Sequence, residues 1–148
     1  MYKHILLPTD GSKLASKAIK QGIQLAKSIG AKVMVINVVP EFQLMMDEGF
    51  APPNAMAIKK RFEDATCKRS KTIIDEAKTL AKAAAVECAG VTVSSGVPYE
   101  AIIKQALKAK CDLIMMASHG RKGIVSILLG SETAKVLTHS TIPVLVVR

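Results

Sequence analysis

The sequence predicts a doubly wound α/β domain: five parallel strands in the order 3-2-1-4-5, with helices on both faces of the sheet. Three observations carry that expectation. Short apolar runs rich in branched residues recur along the chain, which suits strands covered on both faces. Segments of helical period separate them, and such alternation implies right-handed crossovers and a parallel sheet. The length, 148 residues, fits a single domain spanning 1–148, because a chain of this size buries about two-thirds of its unfolded surface.

The elements follow in order. The first run is His4-Ile-Leu-Leu-Pro8, and a helix is predicted over 12–29, with Ala15, Ala18, Ile19, Gly22, Leu25, Ala26 and Ile29 on one stripe and Gly30 as its C-cap. The second strand is predicted over 32–39. Residues 40–54, with Pro40, Gly49, Pro52 and Pro53, form a connection too long for a routine α/β loop and read as a lid or an insertion. A helix over 56–85 places Ile58, Phe62, Ala65, Ile73, Ala77, Leu80 and Ala84 on one stripe, with most of its lysines off it. A weaker apolar run near 86–95 contains Gly90 and reads as an exposed or edge strand. Pro98 opens a shorter helix in which Tyr99, Ile102, Ile103, Ala106 and Leu107 share a face. The fourth strand covers 112–117, Ser131 is expected to cap a last helix through about Leu137, and 142–147 completes the sheet.

Composition narrows the functional classes. Hydrophobic residues make up 49% and charged residues 22%, so a packed core is expected instead of disorder. Aromatic residues are only 3%, too few for the stacking platforms of single-strand nucleic-acid grooves. The net charge of +9 points to an anionic partner, but it is spread over the chain. Residues 1–57 carry six bases against four acids, 58–88 eight against five, and 89–148 seven against three. With no recognised reader motif, no nucleic-acid partner is expected. Cys67, Cys88 and Cys111 lie outside any zinc-ligand or C-x-x-C spacing and read as reduced thiols. No signal-peptide core and no run of 18 apolar residues occurs, so a cytoplasmic protein without membrane association is expected.

In a doubly wound sheet ligands bind beyond the carboxyl ends of the strands where strand order reverses, which directs attention to the turns after strands one and four. The first turn reads Pro8-Thr9-Asp10-Gly11-Ser12. It lacks G-x-G-x-x-G, and a carboxylate at Asp10 would repel phosphate while accepting hydrogen bonds from ribose hydroxyls or an exocyclic amine. The same residues are also good turn and N-cap chemistry, and both readings stand. The second turn reads Ala117-Ser118-His119-Gly120-Arg121-Lys122-Gly123, and Gly130-Ser131 follows at a helix start. Glycines that admit close backbone approach, a helix N-terminus, a hydroxyl and two cations together suit a phosphate cradle. Solvated loop charge is the alternative. No G-x-x-x-x-G-K-[ST] string occurs, which excludes a Walker-type NTPase.

These residues resemble the universal stress protein family, in particular its nucleotide-binding branch, over essentially the whole chain. The resemblance rests on Ile5-Leu-Leu-Pro-Thr-Asp-Gly-Ser12, Val33-Met-Val-Ile-Asn-Val38, Gly96-Val-Pro98, Asp112-Leu-Ile-Met-Met-Ala-Ser-His-Gly120 and Ile142-Pro-Val-Leu-Val-Val147. The family signature G-x2-G-x9-G-[ST] is met at Gly120 and Gly130-Ser131, with Ala117 in place of the first glycine. The resemblance implies a Rossmann-like adenine-nucleotide-binding domain. In it Pro8, Thr9, Asp10 and Val38 meet base and ribose, and Met116 and Ala117 continue the wall. Gly120, Arg121, Gly130 and Ser131 hold ribose and phosphates, with Glu132 nearby. His119 is a ligand contact or structural, and a general-base role is the lesser reading. The implied ligand is ATP, or ADP or AMP, with Mg²⁺ bridging phosphate oxygens and no dedicated metal site. The implied function is stress response or signalling through the bound state with little or no hydrolysis, as a homodimer paired through the carboxyl-terminal strand. Two alternatives accompany it: a dimeric interaction protein that binds no nucleotide, for which Ala117 is the support, and a slow ATPase.

Overall fold

The computed structural model describes residues 1–44, 49, 51–120 and 129–148. Nine elements alternate: β1 (His4–Pro8), α1 (Lys13–Ile29), β2 (Lys32–Val39), α2 (Ala55–Ala83), β3 (Cys88–Ser94), α3 (Pro98–Lys108), β4 (Leu113–Ala117), α4 (Ser131–His139) and β5 (Val144–Val147). The strands are parallel, as the alternation predicts, and they form one sheet in the expected order β3-β2-β1-β4-β5. Chain order reverses between β1 and β4, and the crevice beyond their carboxyl ends is the ligand position of this architecture.

The two core layers arise from strand alternation. Ile5 and Leu7 face α1 and α2 together with Val33, Val35 and Met115, while Leu6 faces α3 and α4 with Ile36, Ile114 and Met116. Leu6 and Leu7 are both fully buried, so truncating either to Ala would cost about 2–5 kcal/mol. α1 lies close on β1 because Gly22 has no side chain. A methyl there would meet Leu7 Cδ2 at 2.5 Å.

The carboxyl ends of α1, α2 and α3 follow one design. Gly30 takes the left-handed conformation (φ 68°) after α1, and Ala31 N–H returns to Ala26 O. The same six-to-one bond closes α2, from Val86 to Ala81, and α3, from Cys111 to Ala106. There the left-handed position falls to Ala85 (φ 58°) and Lys110 (φ 54°), residues that carry a Cβ penalty of about 1–2 kcal/mol which glycine escapes.

Three expectations are corrected. The buried stripe of α2 runs through Ser70, Ile74, Ala77 and Ala81. Ile58 and Leu80 are exposed, and Ala65 faces solvent. For Ile58 and Ala65 the reason is length: α2 begins four turns before its first buried residue, and Phe62 in this stretch meets Phe42 with ring centroids 5.4 Å apart, whereas Leu80 lies beside the buried face of Ile74, Ala77 and Ala81. Ser70 is buried because its hydroxyl bonds Thr92 Oγ1 at 2.6 Å. On α3, Leu107 is exposed and Ala101 joins Ile102 and Ala106 inside. Finally, β5 starts at Val144: Pro143 has no N–H to give, though its carbonyl accepts from Ile114.

The edge position expected for the weak run holds for β3. Gly90 in it serves packing, since a methyl there would collide with Ile74 Cγ2 of α2. The three cysteines are free thiols, and burial pushes Cys111 up to about 11. The reading of 40–54 as lid or insertion falls partly on residues 45–48 and 50, outside the described residues. Among the described residues no helix is long and apolar enough to cross a membrane.

Candidate nucleotide-binding site

The turn after β1 is built by short polar side chains bonding their own backbone. Gly11 N–H donates to Thr9 Oγ1 at 3.2 Å and Ser12 N–H to Asp10 Oδ1 at 2.9 Å. Ser12 Oγ accepts from Ala15 N–H at 3.2 Å, capping α1. The turn and N-cap reading of this string is therefore observed. It leaves the carboxylate directed across the crevice, because a methyl on Gly120 would lie 2.5 Å from Asp10 Oδ2. Residues 110 positions apart thus come into contact where the strand order reverses. Gly120 does not take a positive φ; the need for glycine there is space, set by Asp10.

The turn after β4 is held from three sides. Ser118 N–H donates to Val147 O at 2.7 Å, Gly130 N–H to Ser118 O at 2.7 Å, and Thr133 Oγ1 to Ala117 O at 3.0 Å. Ser118 Oγ and His119 Nδ1 are 3.2 Å apart. Gly130 lies flat on this turn, where a methyl would sit 3.0 Å from His119 Cα. Gly130 itself occupies the N-cap of α4, with extended backbone (φ −70°, ψ 153°), and Ser131 is the first helical residue. This corrects the expected cap. Glycine offers no capping oxygen, and among the described residues the amides of Ser131, Glu132 and Thr133 have no acceptor. The result is an open, positively polarised helix start beside Asp10 and Gly120.

The remaining predicted residues fall as follows. Pro8 ends β1 and Thr9 N–H bonds Ile36 O at 2.9 Å. Val38 is half-buried on β2, two residues past the last pairing with β1 at Pro8–Ile36, so no strand residue pairs with it on that side. Met116 and Ala117 are buried at the end of β4. Ala117 is an ordinary strand residue without positive φ, and it packs in the core layer shared with α1 and α2. The extra methyl at the first signature position thus costs no backbone strain. Glu132 is engaged elsewhere: Oε2 accepts Tyr99 N–H at 2.9 Å and Oε1 lies 3.0 Å from Lys135 Nζ. Arg121, with Lys122 and Gly123, lies outside the described residues.

Two supporting residues were not singled out from sequence. Asn37 is buried and its Nδ2 donates to Thr9 O at 2.7 Å, fixing the start of the Asp10 turn. Its signal was present, an amide in the apolar run Val33–Val39. Thr133, which binds α4 to β4, carries no comparable signal. Among the described residues no group of three His, Cys, Asp or Glu forms a metal cage.

A parallel sheet that reverses between β1 and β4, with helices on both faces, defines an α/β protein of the doubly wound class. The chain belongs to the universal stress protein family: the family's sequence profile matches residues 1–148. Universal stress protein MJ0531 of Methanocaldococcus jannaschii is 34% identical over 150 residues, covering 100% of this chain and 83% of that relative. The solved structure of MJ0577, from the same organism, superposes with a TM-score of 0.84 at 29% identity, over 99% of this chain and 96% of that one. A solved universal stress protein in complex with cAMP superposes with a TM-score of 0.70 at 26% identity, over 99% and 97%.

Proposed function

We propose that this universal stress protein binds an adenine nucleotide in the crevice beyond β1 and β4 and acts in stress response or signalling through its bound state. The carrying observation is the start of α4. Ser12 caps α1 and Glu132 serves α3, but among the described residues no side chain serves the three leading amides of α4. A phosphate there would accept from them and gain from the helix dipole. Gly120 and Gly130 keep side chains out of the same space. The relative in complex with cAMP supports the base and ribose chemistry.

In this reading Asp10, with Pro8 and Thr9, receives ribose hydroxyls, the backbone at Val38 meets the adenine edge, and Met116, Ala117 and His119 line the wall. Gly120, Gly130 and Ser131 carry the phosphates, and Arg121 neutralises them. ATP is the expected ligand, with ADP or AMP as alternatives. Mg²⁺ arrives on the phosphates, bridging their oxygens. Little or no hydrolysis accompanies binding. The protein works in the cytoplasm as a homodimer paired along β5, an edge strand on which Leu145 is exposed.

Mass spectrometry of ligand released from freshly purified protein, with calorimetric titration of ATP, ADP, AMP and cAMP with and without Mg²⁺, tests the site. The wild type should bind at least one of them, and Gly130→Val should bind none while keeping its circular dichroism spectrum. No binding of any of the four by the wild type would overturn the reading. Light scattering tests the dimer separately.

A further inference from the structure

We propose that Glu132 is a positioning residue that couples the nucleotide-binding start of α4 to the start of α3; this rests on the reading above. The α3 N-terminus cannot cap itself. Val97 supplies no side-chain cap, and its own N–H is taken by Ser95 Oγ at 3.0 Å. Pro98 has no N–H. Ala101 N–H returns to Val97 O at 3.2 Å, which leaves Tyr99 and Glu100 as the donors in need of partners. Glu132 reaches across from α4 and takes the first of them.

The contact continues along one face of α4. Glu132, Lys135 and His139 stand at i, i+3 and i+7, and all three meet Tyr99. Glu132 holds its backbone N–H, Lys135 Nζ lies 5.6 Å from its ring centroid, and the His139 ring lies 5.1 Å from it. Lys135 also pins the other oxygen of Glu132. Both oxygens therefore point along the helix–helix seam, and the carboxylate acts on the cradle only through the backbone it shares with Ser131 and Thr133.

That arrangement makes a link. The amides of residues 131–133 belong to the turn that carries Glu132, so a phosphate bound to them fixes the residue that holds Tyr99. Ordering paid at one helix start lowers the cost at the other, and the coupling is reciprocal. The output is the surface opened by Val97, Tyr99 and Glu100 at the head of α3, where Val97 is exposed.

The test combines amide hydrogen exchange at Tyr99 by NMR with calorimetric titration of AMP and of ATP, with and without Mg²⁺. The wild type, Glu132→Ala and Glu132→Gln are compared. Saturating nucleotide should slow Tyr99 exchange in the wild type by about tenfold, within the usual range of coupling between sites. Glu132→Ala should exchange faster at Tyr99 without ligand, lose the response to nucleotide, and bind several-fold more weakly with the Mg²⁺-dependent increment unchanged. Glu132→Gln keeps an acceptor oxygen and should recover most of both effects. A wild-type response retained in Glu132→Ala overturns the proposal. So does loss of the Mg²⁺ increment in both variants, which would make Glu132 a direct ligand. If the wild type binds no nucleotide, the site reading fails and the coupling with it. Tyr99 exchange in the ligand-free variants still judges the cap alone.

Discussion

The two edges of the sheet satisfy their backbone in opposite ways. At the amino-terminal edge, Asp112 accepts from Lys3 N–H at 2.8 Å and His4 N–H at 2.9 Å, and its own N–H donates to His4 O at 2.9 Å. The His4 ring, nearly buried, donates from Nδ1 to Ala109 O at 3.1 Å. That edge is closed by its own groups. At the carboxyl-terminal edge the chain uses glycine at Gly120 and Gly130 and leaves the α4 amides without protein acceptors among the described residues. Unmade donors cost free energy when shielded from water, and in the proposed reading a bound phosphate is what would satisfy these amides.

The strongest way to break this contrast is Gly120→Val. Its Cβ would lie 2.5 Å from Asp10 Oδ2, so the Asp10 carboxylate must leave its place in the crevice. Nucleotide affinity should fall on the order of 100-fold or more, the loss of two or more charge-assisted hydrogen bonds, as read by calorimetry. The thermal midpoint should stay near that of the wild type, because Gly120 is exposed and lies outside both core layers. Undiminished binding would mean that the ligand does not use this crevice.

A smaller effect is expected where the open edge is tied down. Thr133→Val removes the buried bond to Ala117 O and leaves that carbonyl unpaired, at a cost of about 1–3 kcal/mol in denaturant unfolding. Thr133→Ser should restore most of it. Equal stability of Val and Ser variants would show that water replaces the hydroxyl and that α4 is held by packing alone.

How far these features could be read in advance depends on the signal each residue carries. The strands were legible because apolar runs buried on both faces have no other comfortable place, and their parallel direction followed from alternation. The crevice was legible through Gly120 and Gly130, whose spacing is a property of the chain. The stripe of α2 was not, because periodicity fixes a face only where something lies opposite it, and four turns of α2 meet no sheet. Ser70 shows the other limit: its burial depends on Thr92, a partner 22 residues away. The family resemblance puts Glu132 near the ligand at the helix start, and its carboxylate turns to Tyr99, a contact across 33 residues that no local pattern announces.

The closed edge offers the gentlest test, through pH. Burial, then the nearby Lys32 cation, holds the His4 ring below its ordinary 6.5, against the opposing pull of the Ala109 carbonyl, Asp112 and Glu87. Below that value the unfolded chain takes up a proton that the folded ring still refuses, so stability rises with pH in this window and falls as pH drops beneath 6.5. Burial raises the Asp112 carboxyl, but the His4 and Lys3 amides outweigh it and leave it below its ordinary 3.8. Its contribution is present at neutral pH and is lost only as pH falls through 3.8 and lower, so the two windows are distinct. His4→Gln keeps a donor for Ala109 O and removes the upper window. Its denaturant midpoint should vary less than that of the wild type between about pH 7.5 and 5, while nucleotide affinity at the far edge stays unchanged. A wild-type slope in this variant would move the upper titration to a group other than His4, and a change in affinity would show that the two edges are not independent.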